Sequence, residues 1–197
     1  MTKTINRFTL GLALAFCLGQ GQVFASTPTE QIQATIQQVL KVVSGSSNGE
    51  EERKEMLRNA LMPRFDWAEM AKQALGKHWN SVASRQDEFI AAFAEFLGNS
   101  YVDRIGSYKD EKILFVHESV ERNQAQVDTK IVSNKGEPTA VNYRLHQVQG
   151  EWKIFDVVVE DISLVNNYRS QFNRILTTGS LDDLLKRMRE KELKGRN

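Results

Sequence analysis

The sequence predicts an α+β fold: one domain in which a curved four-stranded antiparallel meander is packed by helices that precede and follow it. Three observations carry this. Apolar residues recur at helical spacing from about Thr27 to Ile105, and they alternate with period two from Lys112 to Ile162. The helical period then returns at Ser163, and no repeat, low-complexity tract or linker divides the chain.

The first helix opens at Thr27-Pro28-Thr29-Glu30, which supplies a cap, a first-turn proline and a capping-box Glu. Ile32, Ile36, Val39, Leu40 and Val43 make its apolar stripe, and the small residues Ser44 to Asn48 interrupt it. A second helix runs from about Glu50, with Met56, Leu57, Ala60 and Leu61 inward, until Pro63 closes it. Asp66 begins a third, with Met70, Ala71, Ala74 and Leu75 on its apolar face and Gly76 at its end. Ser84 is read as the cap of a longer helix bearing Phe89, Ile90, Phe93, Phe96, Leu97, Tyr101 and Ile105. So aromatic a stripe suits a packed core, and equally the wall of a cavity.

Four strands are expected at Lys112–Val120, Gln124–Ser133, Thr139–Gln149 and Glu151–Ile162. Their turns are marked by Glu121-Arg122-Asn123, Asn134-Lys135-Gly136 and Gly150, short enough to impose antiparallel pairing. Trp152, Ile154, Asp156 and Val158 are expected on one face of the last strand, while Phe155, Val157 and Val159 make the other face apolar too. Ser163 then precedes Leu164, Val165, Tyr168, Phe172, Ile175 and Leu176, up to Gly179. Ser180 with Asp183 opens a final helix carrying Leu181, Leu184, Leu185 and Met188, and a charged tail follows from Arg189.

The N-terminus has the three-part layout of a secretory signal. Lys3 and Arg7 are its positive region, Phe8 to Leu18 its apolar run, and Val23-Phe24-Ala25 its cleavage site. The run falls short of the ~20 residues needed to cross a bilayer. Cys17 suggests a lipoprotein alternative, but the bulky Phe16 stands where a small residue is required. Cleavage after Ala25 removes the single Cys, and with it disulfide, thiol and thiolate-metal chemistry. Loss of Lys3 and Arg7 also turns a formal charge of +1 into −1. With charges mixed along the chain, nucleic-acid binding, which usually shows a concentrated basic excess, is disfavoured.

Motifs for nucleotide or nucleophilic chemistry are missing: there is no Gly-rich phosphate loop, GxGxxG or GxSxG. His78, His117 and His146 lie far apart, and none has a second ligand at metal spacing. Asp156 is the one carboxylate expected on an apolar face, where it needs a partner or a shifted pKa. An enzymatic reading makes it a general base beside Tyr143 or His117. A structural reading, favoured because spacing fixes no second catalytic group, pairs it with Arg169 or with backbone donors of the last helical segment.

Five stretches carry a family resemblance. They are Phe65-Asp66-Trp67-Ala68-Glu69-Met70-Ala71, Leu75-Gly76-Lys77-His78-Trp79, Tyr143-Arg144-Leu145, Trp152-Lys153-Ile154-Phe155-Asp156-Val157 and the run from Ser163 to Phe172. In order and spacing they resemble the MlaC type of phospholipid-binding protein, also called the toluene-tolerance auxiliary family, from about Thr29 to Leu185. Trp67 departs from the Phe expected there. The resemblance implies a nuclear-transport-factor-like sheet and helices around an apolar cavity, in a monomeric periplasmic carrier without cofactor, with bound phospholipid as cargo. It also implies partners: an outer-membrane lipoprotein–porin complex, and an inner-membrane ABC transporter complex with a substrate-binding ring. The expected role is outer-membrane lipid asymmetry.

Two acyl chains exposed to water cost about 0.8 kcal/mol per CH₂, on the order of 20 kcal/mol in all. A carrier must therefore offer a dry apolar wall and leave the headgroup near the mouth. Periodicity nominates Phe93, Leu97 and Tyr101 from the aromatic helix for that wall. From the strands it nominates Val127, Ile131, Val141, Tyr143, Leu145, Ile154 and Val158, and from the returning helix Tyr168 and Phe172. Ordinary core packing asks for the same residue types, so the set stays open to that reading. An enzyme centred on Asp156 or an adaptor with a filled core are the competing functions.

Overall fold

The computed structural model describes residues 26–45, 49–105, 111–133 and 136–190. The signal sequence with its cleavage site, Cys17 and most of the charged tail lie outside these residues. Among the described residues, six α-helices and a five-stranded sheet follow the predicted order: α1 (Pro28–Ser44), α2 (Glu50–Leu61), α3 (Trp67–Leu75), α4 (Gln86–Ile105), then β1 (Lys112–Glu121), β2 (Gln124–Val132), β3 (Thr139–Val148), β4 (Glu151–Val159), β5 (Ile162–Ser163), then α5 (Leu164–Thr178) and α6 (Leu181–Arg189). Among the described residues no helix is long and apolar enough to cross a membrane.

Local chemistry sets most helix ends. Thr27 and Glu30 form a reciprocal capping box on α1, and Ser180 and Asp183 do the same on α6. Asp66 caps α3 through Glu69 N–H, and Ser163 caps α5 through Asn166 N–H. Gly76 ends α3 with φ +54°, a backbone conformation that favours glycine, and the Arg169 side chain packs over it. Ser84 does not cap α4. It lies in a 3-10 stretch, Asn80–Arg85, broken by non-helical Val82, and α4 begins at Gln86, whose side-chain amide donates to Trp79 O at 3.1 Å.

The sheet is an antiparallel meander in the order β1-β2-β3-β4-β5. Its last predicted strand is in fact two. Glu160 and Asp161 both have positive φ, forming a two-residue hairpin turn that pairs Val159 with Ile162. Beyond the start of β5, the open edge of β4 is taken by the lead into α3: Phe65 bridges Ile154, and Asp66 N–H donates to Ile154 O at 2.8 Å.

A β-bulge decides which face β4 presents. Leu145 pairs with Ile154 and Arg144 with Asp156, leaving Phe155 as the extra residue. The alternation therefore changes phase there. Ile154 shares its face with Val157 and Val159, which sit opposite Tyr143 and Val141, whereas Asp156 and Val158 turn to the other side. The single face expected for Trp152, Ile154, Asp156 and Val158 is corrected accordingly.

Three apolar clusters build the interior. The largest packs α3, α4, α5 and α6 through Met70, Leu75, Phe89, Phe93, Phe96, Tyr168, Phe172 and Leu184. A second joins α1 to the sheet through Ile32, Ala125, Val127, Leu145, Trp152 and Ile154. A third, of Val39, Leu57, Ala60 and Val102, holds α1 and α2 against α4. These clusters surround a space that they do not fill.

Candidate functional site: an apolar cavity between helices and sheet

That space is a cavity of about 430 Å³, inside the ~300–1,000 Å³ range of small-molecule sites. From α1 come Ile32, Ile36, Val39 and Leu40; Leu61, Met62, Phe65, Trp67 and Met70 follow from the end of α2 through the start of α3. Helix α4 contributes Leu97, Gly98, Tyr101, Val102 and Ile105, and Leu164 adds the start of α5. The sheet contributes Ile113, Ile131, Val141, Tyr143, Ile154, Val157 and Val159. Except for Thr35, whose hydroxyl donates to Gln31 O within α1, the short polar and acidic lining residues gather at one end. They are Glu111 before β1, Ser133 after β2, and Glu137 and Thr139 at the start of β3.

Helix α1 is held over the cavity by two tethers besides its apolar stripe. Thr29 N–H donates to Glu118 Oε2 at 2.7 Å, and Trp152 N–H donates to Gln31 Oε1 at 3.0 Å. On the opposite wall, a Cβ on Gly98 would meet Met62 Sδ at 2.9 Å, so the glycine lets the end of α2 close against α4. Phe65 and Trp67 stack with centroids 4.9 Å apart, and Trp67 Nε1–H donates to Met62 O at 2.9 Å.

Six of the nominated wall residues line this cavity: Leu97, Tyr101, Ile131, Val141, Tyr143 and Ile154. Six do not. Phe93, Tyr168 and Phe172 are consumed by an edge-to-face aromatic cluster with Phe89 and Phe96, buried among α3 to α6. Val127 and Leu145 share the cavity face of the sheet but lie beneath α1, where Ile32 and Trp152 cover them. Val158 is turned away by the bulge at Phe155. Sequence reasoning passed over Phe65, Trp67, Val157, Val159 and the α1 stripe. The stripe was visible as periodicity, but nothing in it distinguishes a helix that seals a core from one that roofs a cavity.

Asp156 is 2% exposed and is engaged away from the cavity. Its Oδ2 accepts from Arg144 Nη1 at 3.1 Å and from Ser163 Oγ at 2.7 Å, and its Oδ1 accepts from Val165 N–H at 3.1 Å. The backbone donor from the last helical segment is as expected, but the cation is Arg144, not Arg169. Arg169 instead donates to Gln73 O at 2.6 Å, fastening α5 to α3. Neither Tyr143 nor His117 is a partner of Asp156: Tyr143 lies on the opposite face of the sheet, and β1, which carries His117, is separated from β4 by β2 and β3. Asp156 thus locks β4 to the start of α5, and the arrangement does not present it as a general base. Among the described residues no group of three His, Cys, Asp or Glu could hold a metal ion.

Comparison with known proteins agrees with this architecture. The phospholipid-binding protein from Ralstonia solanacearum, solved in complex with a phospholipid, superposes with a TM-score of 0.73 at 18% identity, covering 84% of this chain and 96% of that one. The intermembrane phospholipid transport system binding protein MlaC of Haemophilus influenzae is 24% identical over 141 residues, 68% of this chain. The match spans 66% of that relative's own length, just under two thirds. The toluene tolerance protein ttg2D of Pseudomonas putida is 25% identical over 183 residues, covering 87% of this chain and 82% of that protein. The sequence profile of the MlaC protein family matches residues 33–190, and the chain belongs to that family.

Proposed function

We propose that this protein is a periplasmic phospholipid carrier. Acyl chains occupy the cavity between α1, α4 and the sheet, and the headgroup stays at the polar end near Ser133 and Thr139. The observation that carries the reading is a 430 Å³ space with an almost wholly apolar lining, left open in a domain with ample apolar residues to fill it. An adaptor would have its core filled, and this one is left open. The H. influenzae relative bears the name of a phospholipid transport binding protein, and the R. solanacearum neighbour was solved with a phospholipid.

Burial of acyl chains offsets a penalty on the order of 20 kcal/mol for crossing water. The sequence shows no nucleotide-binding motif, so extraction is driven by partners or by differences in lipid affinity. In this reading the carrier exchanges glycerophospholipid between an outer-membrane lipoprotein–porin complex and an inner-membrane ABC transporter complex with a substrate-binding ring, sustaining outer-membrane lipid asymmetry. It acts as a monomer, without cofactor, after signal removal at Ala25.

Organic extraction and native mass spectrometry of the protein purified from the cell envelope provide the test. Near-stoichiometric phospholipid is expected; protein that is folded and free of lipid would overturn the reading.

A further inference from the structure

We propose that His146 is a positioning residue for the cavity, acting through Asp66 on the stacked pair Phe65 and Trp67. This rests on the carrier reading and adds to it a residue that never touches the cargo. His146 lies on the face of β3 away from the cavity, yet its Nε2 is 2.8 Å from Asp66 Oδ2. Asp66 is the residue between the two rings, and both rings line the cavity.

Besides its carbonyl, which accepts from Met70 N–H inside the first turn of α3, Asp66 makes three bonds with separate tasks. Its N–H donates to Ile154 O at 2.8 Å and sets the chain on the sheet edge. Its Oδ1 accepts from Glu69 N–H at 2.9 Å and caps α3. Oδ2 remains, and His146 takes it. This third bond comes from the far face of the sheet and fixes how the Phe65–Trp67 segment is rotated about the edge. The imidazole is itself held by the ring of Phe155, 5.2 Å away, which is the residue the β4 bulge inserts. Side-chain exposures of 21% for His146 and 18% for Asp66 leave the bond little screened by water.

The segment under control is short. Trp67 follows the 3-10 turn Met62–Arg64 closely, and its indole N–H is already anchored on Met62 O. Rotation about the Asp66 backbone therefore moves both rings together, into the cavity or away from its wall. A carboxylate only accepts hydrogen bonds, so the partner must supply an N–H at that point, which an imidazole or an amide can do and a methyl cannot.

The test compares His146→Ala, His146→Gln and Asp66→Ser in the mature chain. Serine keeps the helix cap but is too short to reach residue 146. Each protein is loaded with a fluorescent phospholipid and mixed with excess phosphatidylcholine vesicles, and the release rate is followed. Fluorine NMR of 5-fluorotryptophan-labelled protein reports Trp67, identified by Trp67→Phe. Release about tenfold faster is expected for His146→Ala and for Asp66→Ser, the effect of losing one charge-assisted bond. The double variant should be no faster than either single one. His146→Gln should return towards wild type, and the Trp67 resonance should shift or broaden in His146→Ala while that of Trp79 stays. If His146→Ala does not fold, Asp66→Ser carries the comparison. Wild-type release rates and an unmoved Trp67 resonance in the folded variants would overturn the role of His146 alone. A wild-type protein that takes up no phospholipid would overturn the carrier reading and this inference with it.

Discussion

Tyr143 and Leu145 stand two positions apart on β3 and face the same side, but a carboxylate would meet different surroundings at each. Tyr143 lines the cavity, whereas Leu145 is 1% exposed and packed under α1. Tyr143→Glu is expected to fold and to carry less phospholipid, because the charge sits where acyl chains would lie. Leu145→Glu buries an unpaired charge among apolar side chains, several kcal/mol of cost on transfer scales, and should lose cooperative unfolding altogether. Circular dichroism in urea, with lipid phosphorus measured on the folded fraction, separates the two. Asp156→Ala belongs to a third class. It leaves Ser163, Val165 N–H and Arg144 without their acceptor, at about 2–3 kcal/mol, a figure moderated because the Arg144 side chain remains 42% exposed. Urea midpoints should fall for Asp156→Ala, while the lipid carried per folded molecule stays unchanged.

At the scale of elements, the parts legible in the sequence are those governed by chemistry within a few residues. The boxes Thr27/Glu30 and Ser180/Asp183, and the caps Asp66 and Ser163, are local donor–acceptor arrangements, and all four helix starts fall where they were expected. The phase of β4 was not legible. Both of its faces are apolar, so sliding the pattern by one residue costs nothing in the sequence, and only the pairing with β3 shows that Phe155 is the inserted position. The contact of α6 with α4 also has an acid-sensitive seam. Arg85 bonds Glu88 and Asp182 and holds both carboxyls below their ordinary values, and Ser180 does the same to Asp183 through its backbone and side chain. A carboxyl with a depressed folded-state pKa contributes stability above its unfolded value, and this is lost as pH falls through the folded one. The protection of α6 amides, relative to unfolded-chain exchange at the same pH, should therefore be steady at neutral pH and fall ahead of the rest of the helical core only below about pH 4.

At the scale of the whole molecule, most of the helical core stands apart from the cavity. The helical core of α3 to α6 meets the cavity through Met70 and Leu97 but is otherwise packed apart from it, while α1, the end of α2, α4 and the sheet enclose a volume that protein side chains leave unfilled. A ligand that binds only the native state raises the unfolding temperature, so delipidated protein should melt below the loaded form, and added phospholipid should restore the difference in a thermal scan. This division also explains why half of the nominated wall residues lie outside the cavity lining. Phe93, Tyr168 and Phe172 have the composition of a wall, and only the tertiary topology assigns them to the core. The bulge at Phe155 extends the same separation into a single strand. Because β4 is read in one frame before that residue and in the other after it, neighbouring valines have different surroundings: Val157 lines the cavity, and Val158 is buried on the other face of the sheet. A variant library across β4 selected for lipid retention and one selected for folding alone would thus diverge at alternate positions, with the order of alternation reversing at residue 155.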